Sequence, residues 1–276
     1  MKFPHPLTGE LFDSPVPPGT GWPEDPAVRR TPVAHDAAEV VKLAKTDDLG
    51  ELEARVSVCR ACPRLVEWRE DVAVGKRKSF ADQPYWGRPI PGWGVAEPRI
   101  LIAGLAPAAN GGNRTGRVFT GDRSGDWLFA SLHRVGLANK ATSEYAGDGL
   151  RLIGTRMIAA VRCAPPANKP TPVERDTCAP WYRRELELVL PTTKAIVCLG
   201  KYGYDALLVA LAATGAAVPR PRPPFGHAVE HPIETPHGQV TVLGSYHPSQ
   251  QNTFTGKLTE AMLDAVLNRA KSIAGL

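Results

Sequence analysis

Apolar residues along this chain gather into four short runs, and each run ends directly in a polar, often Gly-rich segment. Arg99-Ile-Leu-Ile-Ala-Gly-Leu-Ala106 opens into Pro107-Ala-Ala-Asn-Gly-Gly-Asn-Arg-Thr-Gly116, and Met157-Ile-Ala-Ala-Val161 into Arg162-Cys-Ala-Pro-Pro-Ala-Asn-Lys169. Ala195-Ile-Val-Cys-Leu199 leads to Gly200-Lys201, and Val240-Thr-Val-Leu-Gly-Ser245 to Tyr246-His-Pro-Ser-Gln-Gln-Asn-Thr-Phe254. Runs this short and this uniformly apolar, separated by helical patterns, predict parallel strands covered on both faces. The expected architecture is therefore α/β, a three-layer α/β/α sandwich around a central, mainly parallel four-stranded sheet. Ligands of such sheets sit beyond the carboxyl ends of the strands, so the four loops are expected to converge on one site.

Between the runs, the pattern shifts to helical spacing. Val40, Val41, Leu43, Leu49, Leu52 and Val56 fit one or two helices before Cys59, and Leu128, Leu132 and Val135 fit another with Ser124 available as its N-cap. Thr171-Pro-Val-Glu174 is a capping-box pattern that opens a helix through Leu190. Further helices are expected over Tyr202–Ala213 and Thr255–Ala274. Residues 1–38 are Pro-rich and aperiodic and read as an irregular arm wrapping a domain of residues 39–276. Residues 70–98 read as loop, and Val218-Pro-Arg-Pro-Arg-Pro-Pro-Phe225 as a solvated connection.

At 276 residues, 43% hydrophobic and 22% charged, the chain has the composition of an ordinary globular protein with one sizeable core. No run approaches the ~18 apolar residues of a bilayer span, and the N-terminus has no apolar signal core, which points to the cytoplasm and away from membranes. A net charge of +5 suits a polyanionic partner.

Five cysteines in such a chain argue for metal or cluster ligation over disulfides. Cys59-Arg-Ala-Cys62, then Cys163 and Cys178, form two pairs that a fold can bring together as one thiolate site, for zinc or for an iron–sulfur cluster. Cys198 lies inside an apolar run and reads as a small core residue. His227, His231 and His237 lack ligand periodicity and read as surface histidines.

Among the loops, the first offers Asn110, Asn113, Arg114 and Arg117 between glycines that permit close backbone approach to a base or phosphate. Asp122 follows just ahead of a helix, where a carboxylate either favours the helix terminus or orients water and faces a developing cation. His247 stands at a strand end beside Pro248, followed by polar Ser249 to Thr253. A neutral imidazole so placed can donate to an oxygen gaining negative charge.

Taken together, Gly104-Leu-Ala-Pro-Ala-Ala-Asn-Gly-Gly-Asn-Arg-Thr-Gly-Arg-Val-Phe-Thr-Gly-Asp122 and His247-Pro-Ser-Gln-Gln-Asn-Thr-Phe-Thr-Gly256 closely resemble the two signature motifs of type-B (family 5) uracil-DNA glycosylases. The likeness extends through Arg162–Thr171 and the four cysteines. It implies a 4Fe-4S cluster on Cys59, Cys62, Cys163 and Cys178, no catalytic divalent metal, and hydrolysis of the N-glycosidic bond of uracil and other deaminated bases, hypoxanthine and xanthine among them. By the same resemblance Asp122 orients water and faces the sugar, His247 stabilises the base O2, and Asn168 contacts base or water. Phe119 stacks on the flipped base, with Asn110 and Ala106 beside it. Arg114, Arg117, Gln250, Gln251, Asn252 and Lys257 are the candidate DNA contacts, with one of Gln250, Gln251 and Asn252 filling the vacated stack. The partner is damaged double-stranded DNA, single-stranded DNA being a second form of substrate, and the chain is expected to be a monomer at the nucleoid.

One departure stands out, since family members usually carry His where Asn110 stands. The related type-A (family 4) enzymes begin their first motif Gly-Glu-Ala-Pro, against Gly104-Leu-Ala-Pro107 here. Rival readings are that type-A activity, a non-catalytic DNA-binding module on a four-Cys metal, and a phosphate-cleaving enzyme, for which no Asp/Glu/His cluster suited to two divalent metals is present.

Overall fold

The computed structural model describes residues 1–276. Its four central strands are the four apolar runs: β4 (Ile100–Gly104), β5 (Thr155–Ala159), β6 (Ala195–Leu199) and β8 (Gly238–Ser245), parallel in the order β5-β4-β6-β8. Two antiparallel edge strands extend the sheet to six: β3 (Trp93–Gly94) beside β5 and β7 (Glu230–Thr235) beside β8. The expected count of four is corrected on physical grounds. A two-residue strand leaves no periodic signal, and Pro232 within β7 is tolerated because an edge strand leaves one side of its backbone unpaired.

Alternate residues of each central strand feed opposite cores. Ile100 and Ile102 of β4 meet Leu128, Phe129 and Leu132 of α5 (Arg123–Arg134) and Leu263, Val266 and Leu267 of α9 (Glu260–Ala274). Leu101 and Ala103 point the other way, to Tyr182, Leu186 and Val189 of α6 (Pro172–Val189) and Leu207, Leu208 and Leu211 of α7 (Lys201–Ala213). This is the three-layer α/β/α sandwich. The Thr171 capping box opens α6 with both reciprocal bonds formed. Helices α1 (Ala37–Leu43) and α2 (Leu49–Ser57) pack on α6, and α3 (Pro63–Gly75) follows Cys62 within the stretch expected in part to be loop. The last predicted helix, Thr255–Ala274, is α9 and begins later than expected, at Glu260 after its cap Thr259, while a short unpredicted helix, α8 (Gln250–Phe254), precedes it.

Residues 1–38 are irregular apart from a small hairpin of β1 (Phe3–Pro4) and β2 (Leu11–Phe12) and the first two residues of α1, yet Phe12, Val16 and Trp22 are buried in the larger core. No helix is long and apolar enough to cross a membrane.

The loop after β4 carries a short helix, α4 (Gly112–Thr115), and here a second expectation is corrected. Arg114 and Arg117 are both buried, 5% and 1% exposed, and are taken up by internal partners, so neither is free to reach a phosphate. Arg114 donates to the carbonyls of Asn110 and Gly121 at 3.0 and 2.9 Å and to the Tyr145 hydroxyl. Arg117 lies over the Trp93 ring and pairs with Asp148 at 2.5 Å, with further bonds to Thr120 and Ser143. Burial pushes the Asp148 carboxyl up, but Arg117 and the Glu144 and Leu150 amides outweigh it and hold it below the ordinary carboxylate range. Its stabilisation is therefore complete above about pH 4 and lost as the pH falls further. Removing one member of a buried pair strands the other, so Asp148→Asn is expected to destabilise the fold by about 3–5 kcal/mol, read from urea denaturation.

Candidate functional site

Strand β4 is followed by α5 on one face of the sheet and its neighbour β6 by α7 on the other, so the chain parts between their carboxyl ends. A crevice at such a point is where open α/β sheets bind ligands. A cleft of about 470 Å³ lies there, lined by Leu105–Ala108, Val118, Phe119, Asp122, Asn168, Leu199–Gly203, His247 and Gln251 among others. All four predicted loops contribute to it.

Asp122 is the N-cap of α5, its Oδ1 accepting from the Gly125 amide at 2.9 Å, so the cap is Asp122 and not Ser124. The second oxygen has a different neighbour. A Cβ on Gly111 would stand 2.6 Å from Asp122 Oδ2, so only glycine at that position leaves the carboxylate where it is. One Asp122 oxygen thus serves the helix terminus while the residue also lines the cleft.

Phe119 has φ 55°, a left-handed backbone costly for a bulky residue, and the tip of its half-buried ring abuts the end of β4. A Cβ on Gly104 would come within 2.5 Å of Phe119 Cζ, which is why the strand ends in glycine. Ala167 and Asn168, in a 3₁₀ turn after β5, also have positive φ, 52° and 56°, and present the exposed Asn168 to the cleft.

His247 follows β8 and lies beside Gly200. Asn252 donates from Nδ2 to the His247 carbonyl at 2.9 Å, which anchors the loop and takes Asn252 out of the set of side chains free to meet DNA. Burial lowers the His247 pKa below its ordinary value, and the nearby Asp122 charge only partly opposes this. Ala106 joins the lining as expected, whereas Asn110 does not: its Oδ1 accepts from the Tyr85 hydroxyl at 2.9 Å. Gln250, Gln251 and Lys257 are exposed. Sequence reasoning passed over Tyr202, 71% exposed in the cleft wall, and the exposed cation Arg123 beside Asp122. Their signal was adjacency to loop ends already singled out.

The sequence model of the Uracil DNA glycosylase superfamily matches residues 91–271. A type-5 uracil-DNA glycosylase of Mycobacterium tuberculosis is 57% identical over 273 residues, 99% of each chain. One of Thermus thermophilus is 50% identical over 221 residues, 80% of this chain and 96% of its own. A type-4 uracil-DNA glycosylase of Archaeoglobus fulgidus reaches 30% over 162 residues, 58% of this chain and 70% of its own. The chain belongs to the type-5 uracil-DNA glycosylases. The type-4 alternative gives way to these longer and closer matches.

In this type-5 chain the four expected cysteines line one small cavity with Val40, Leu65, Val161 and Trp181. The buried Arg69 donates from Nη1 to Cys163 Sγ at 3.0 Å and from Nη2 to the Cys59 carbonyl at 3.1 Å. Burial pushes the thiols of Cys59 and Cys178 up, and that of Cys62 to about 12. No three His, Cys, Asp or Glu side chains of the molecule are arranged to share a single ion. The donor set is four sulfurs with no imidazole or carboxylate, the chemistry of a soft metal centre, and Arg69 supplies positive charge against thiolates. These residues fit a four-Cys centre in ligand type.

Because His247 is held below the ordinary imidazole value of 6.5, it is neutral at about pH 7. Activity that uses the neutral ring is expected to be level above that pH and to fall only below 6.5, with the fall abolished in His247→Gln, as read from a pH–rate profile.

Proposed function

We propose that this chain excises uracil from DNA by hydrolysing the N-glycosidic bond, initiating base excision repair. The observation that carries the reading is the cleft itself, where Asp122, Phe119 and Asn168 face His247 at the crevice of a type-5 uracil-DNA glycosylase chain. A base within a duplex is out of reach of such a cleft and must be flipped into it, at a cost of a few kcal/mol that is lower for a mispaired base.

As the glycosidic bond lengthens, the sugar gains positive charge and the base negative charge, so catalysis needs a carboxylate near one and donors near the other. Asp122 supplies the carboxylate, orienting water and facing the sugar. His247, neutral and tucked against Gly200, donates toward the base O2. Phe119 offers a flat apolar surface to the flipped base. Stacking of that kind accepts any base π-face, which supports a range that includes hypoxanthine and xanthine. Asn168 sits across the cleft in reach of base or water. Asn110 has its amide held by Tyr85, which supports a role in shaping the loop in place of base contact.

Damaged double-stranded DNA is the partner, with a single strand as a second form, and Gln250, Gln251, Lys257, Arg123 and Lys169 are the exposed groups that flank the cleft. Cys59, Cys62, Cys163 and Cys178 would hold a 4Fe-4S cluster, whose contribution is to cross-link the segments that bear them. Arg69 would hydrogen-bond the Cys163 ligand, and the mostly apolar lining buries Cys163 and Cys178 while Cys59 and Cys62 stay partly exposed.

End-labelled duplexes with one U opposite G, incubated in EDTA, are expected to break only after alkali, and Asp122→Ala is expected to lower the rate by about a hundredfold or more. Breakage without alkali, or a fully active Asp122→Ala, overturns the assignment. Protein purified without oxygen is expected to be brown, with Cys163→Ser colourless. A colourless wild-type protein containing zinc overturns the cluster.

A further inference from the structure

Two benzenoid rings line the cleft, those of Phe119 and Tyr202, and they reach it from opposite faces of the sheet. Gly104 follows Ile100 and Ile102 in facing the α5 and α9 side, and there Phe119 abuts the strand end. From the other side α7 settles on the same glycine. A Cβ on Gly203 would stand 3.1 and 3.2 Å from the Gly104 carbonyl carbon and Cα, tighter than ordinary contact, so glycine lets the first turn of α7 lie on the end of β4. Tyr202 immediately precedes it. Side chains of a helix lean toward its amino end, so those of the first turn of α7 lean past Gly200 and over the crevice. Lys201 is paired with Asp205 one turn on, at 2.7 Å, which leaves the Tyr202 ring, 71% exposed, as the group that stands free in the wall. A single exposed aromatic is unremarkable by itself. This one stands across the end of a strand from a second ring, whose own residue holds a strained backbone.

We propose that Tyr202 is the second wall of the base site, closing on the face of the flipped base opposite Phe119, so that the base is held between two rings. The inference rests on the uracil-excision reading. A base drawn out of the duplex loses the stacking of both its faces, and one ring returns only one of them. A second ring restores the other, and does so for any base, because every base has a π-face. The contact uses the ring and not the hydroxyl, and it is made with the base and not with the sugar or the phosphates. It involves no proton transfer, so the pH dependence set by His247 is the same with or without it.

The test is equilibrium binding, in an Asp122→Ala background, to a duplex with U opposite G and to one with a tetrahydrofuran abasic residue opposite G, by the parent protein, Tyr202→Phe and Tyr202→Ala. Tyr202→Ala is expected to weaken the U·G complex about tenfold or more and the abasic complex by less than about twofold, while Tyr202→Phe binds both duplexes as the parent does. With Asp122 intact, Tyr202→Ala is expected to raise the protein concentration that half-saturates single-turnover excision of uracil by a similar factor. Because the side chain is exposed, all three proteins are expected to melt together. An equal loss on both duplexes, which marks a backbone contact, an undiminished U·G complex, or a Tyr202→Phe as weak as Tyr202→Ala overturns the second wall and leaves excision standing. Wild-type protein that releases no uracil from the U·G duplex overturns the excision reading and the wall with it.

Discussion

The geometry of the cleft depends on one buried guanidinium. Arg114 reaches back to the Asn110 carbonyl and forward to the Gly121 carbonyl, so a single planar group ties together the two ends of the segment that separates the β4 strand end from Asp122. A charged group inside a protein is tolerable only when its donors are matched, and Gln83 and Tyr145 complete the set. With that loop closed from within, Gly121 is held and the next residue caps α5 with one oxygen. The position of the Asp122 carboxylate is thus set by interior hydrogen bonds and needs no contact from DNA.

The same loop is joined to the cysteine cavity. Asn113 donates to the Arg69 carbonyl at 3.1 Å, and Arg69 in turn donates to Cys163 Sγ. Cys163 begins the short segment that turns at Ala167 and Asn168 into the cleft, and Ala106 packs against Leu65, Val161 and Cys163 from the cleft side. Anything that fixes the four sulfurs fixes the base of both the Asp122 loop and the Asn168 loop. A cross-link there would add to the hold that Arg114 already has on the Asp122 loop and would steady the Asn168 turn, whose residues Ala167 and Asn168 have strained backbones.

Which parts of this were readable in the residues follows from which forces are local. The four central strands stood out because both faces are buried, which demands unbroken apolar runs. Edge strands β3 and β7 did not, since one is two residues long and the other is broken by Pro232. His247 was recoverable because a polar residue directly after a buried strand has no packing reason to be there, whereas Asp122 stood out by its place ahead of a helix and Asn168 through the family resemblance. Arg114 and Arg117 misled for the opposite reason. An arginine among glycines looks the same whether it faces a phosphate or the interior, and what decides is Tyr145 and Asp148, about thirty residues away and unseen by any local pattern.

Electrical polarity across the cleft follows from the topology that creates it. Because α5 and α7 leave neighbouring strands on opposite faces, the amino ends of both helices, each carrying partial positive charge, approach the same crevice. The two ends are treated differently. Asp122 caps α5 and sets a full negative charge on the β4 side, whereas α7 begins at Gly200 with no side-chain cap, leaving its amide donors beside the neutral His247. On the proposed reading, a bond lying across the cleft with its sugar toward Asp122 and its base toward Gly200 would separate charge along a field already present. Because the donors and the carboxylate belong to helix ends fixed by the sheet, little reorganisation is needed as that charge develops, the condition under which such stabilisation contributes most to rate.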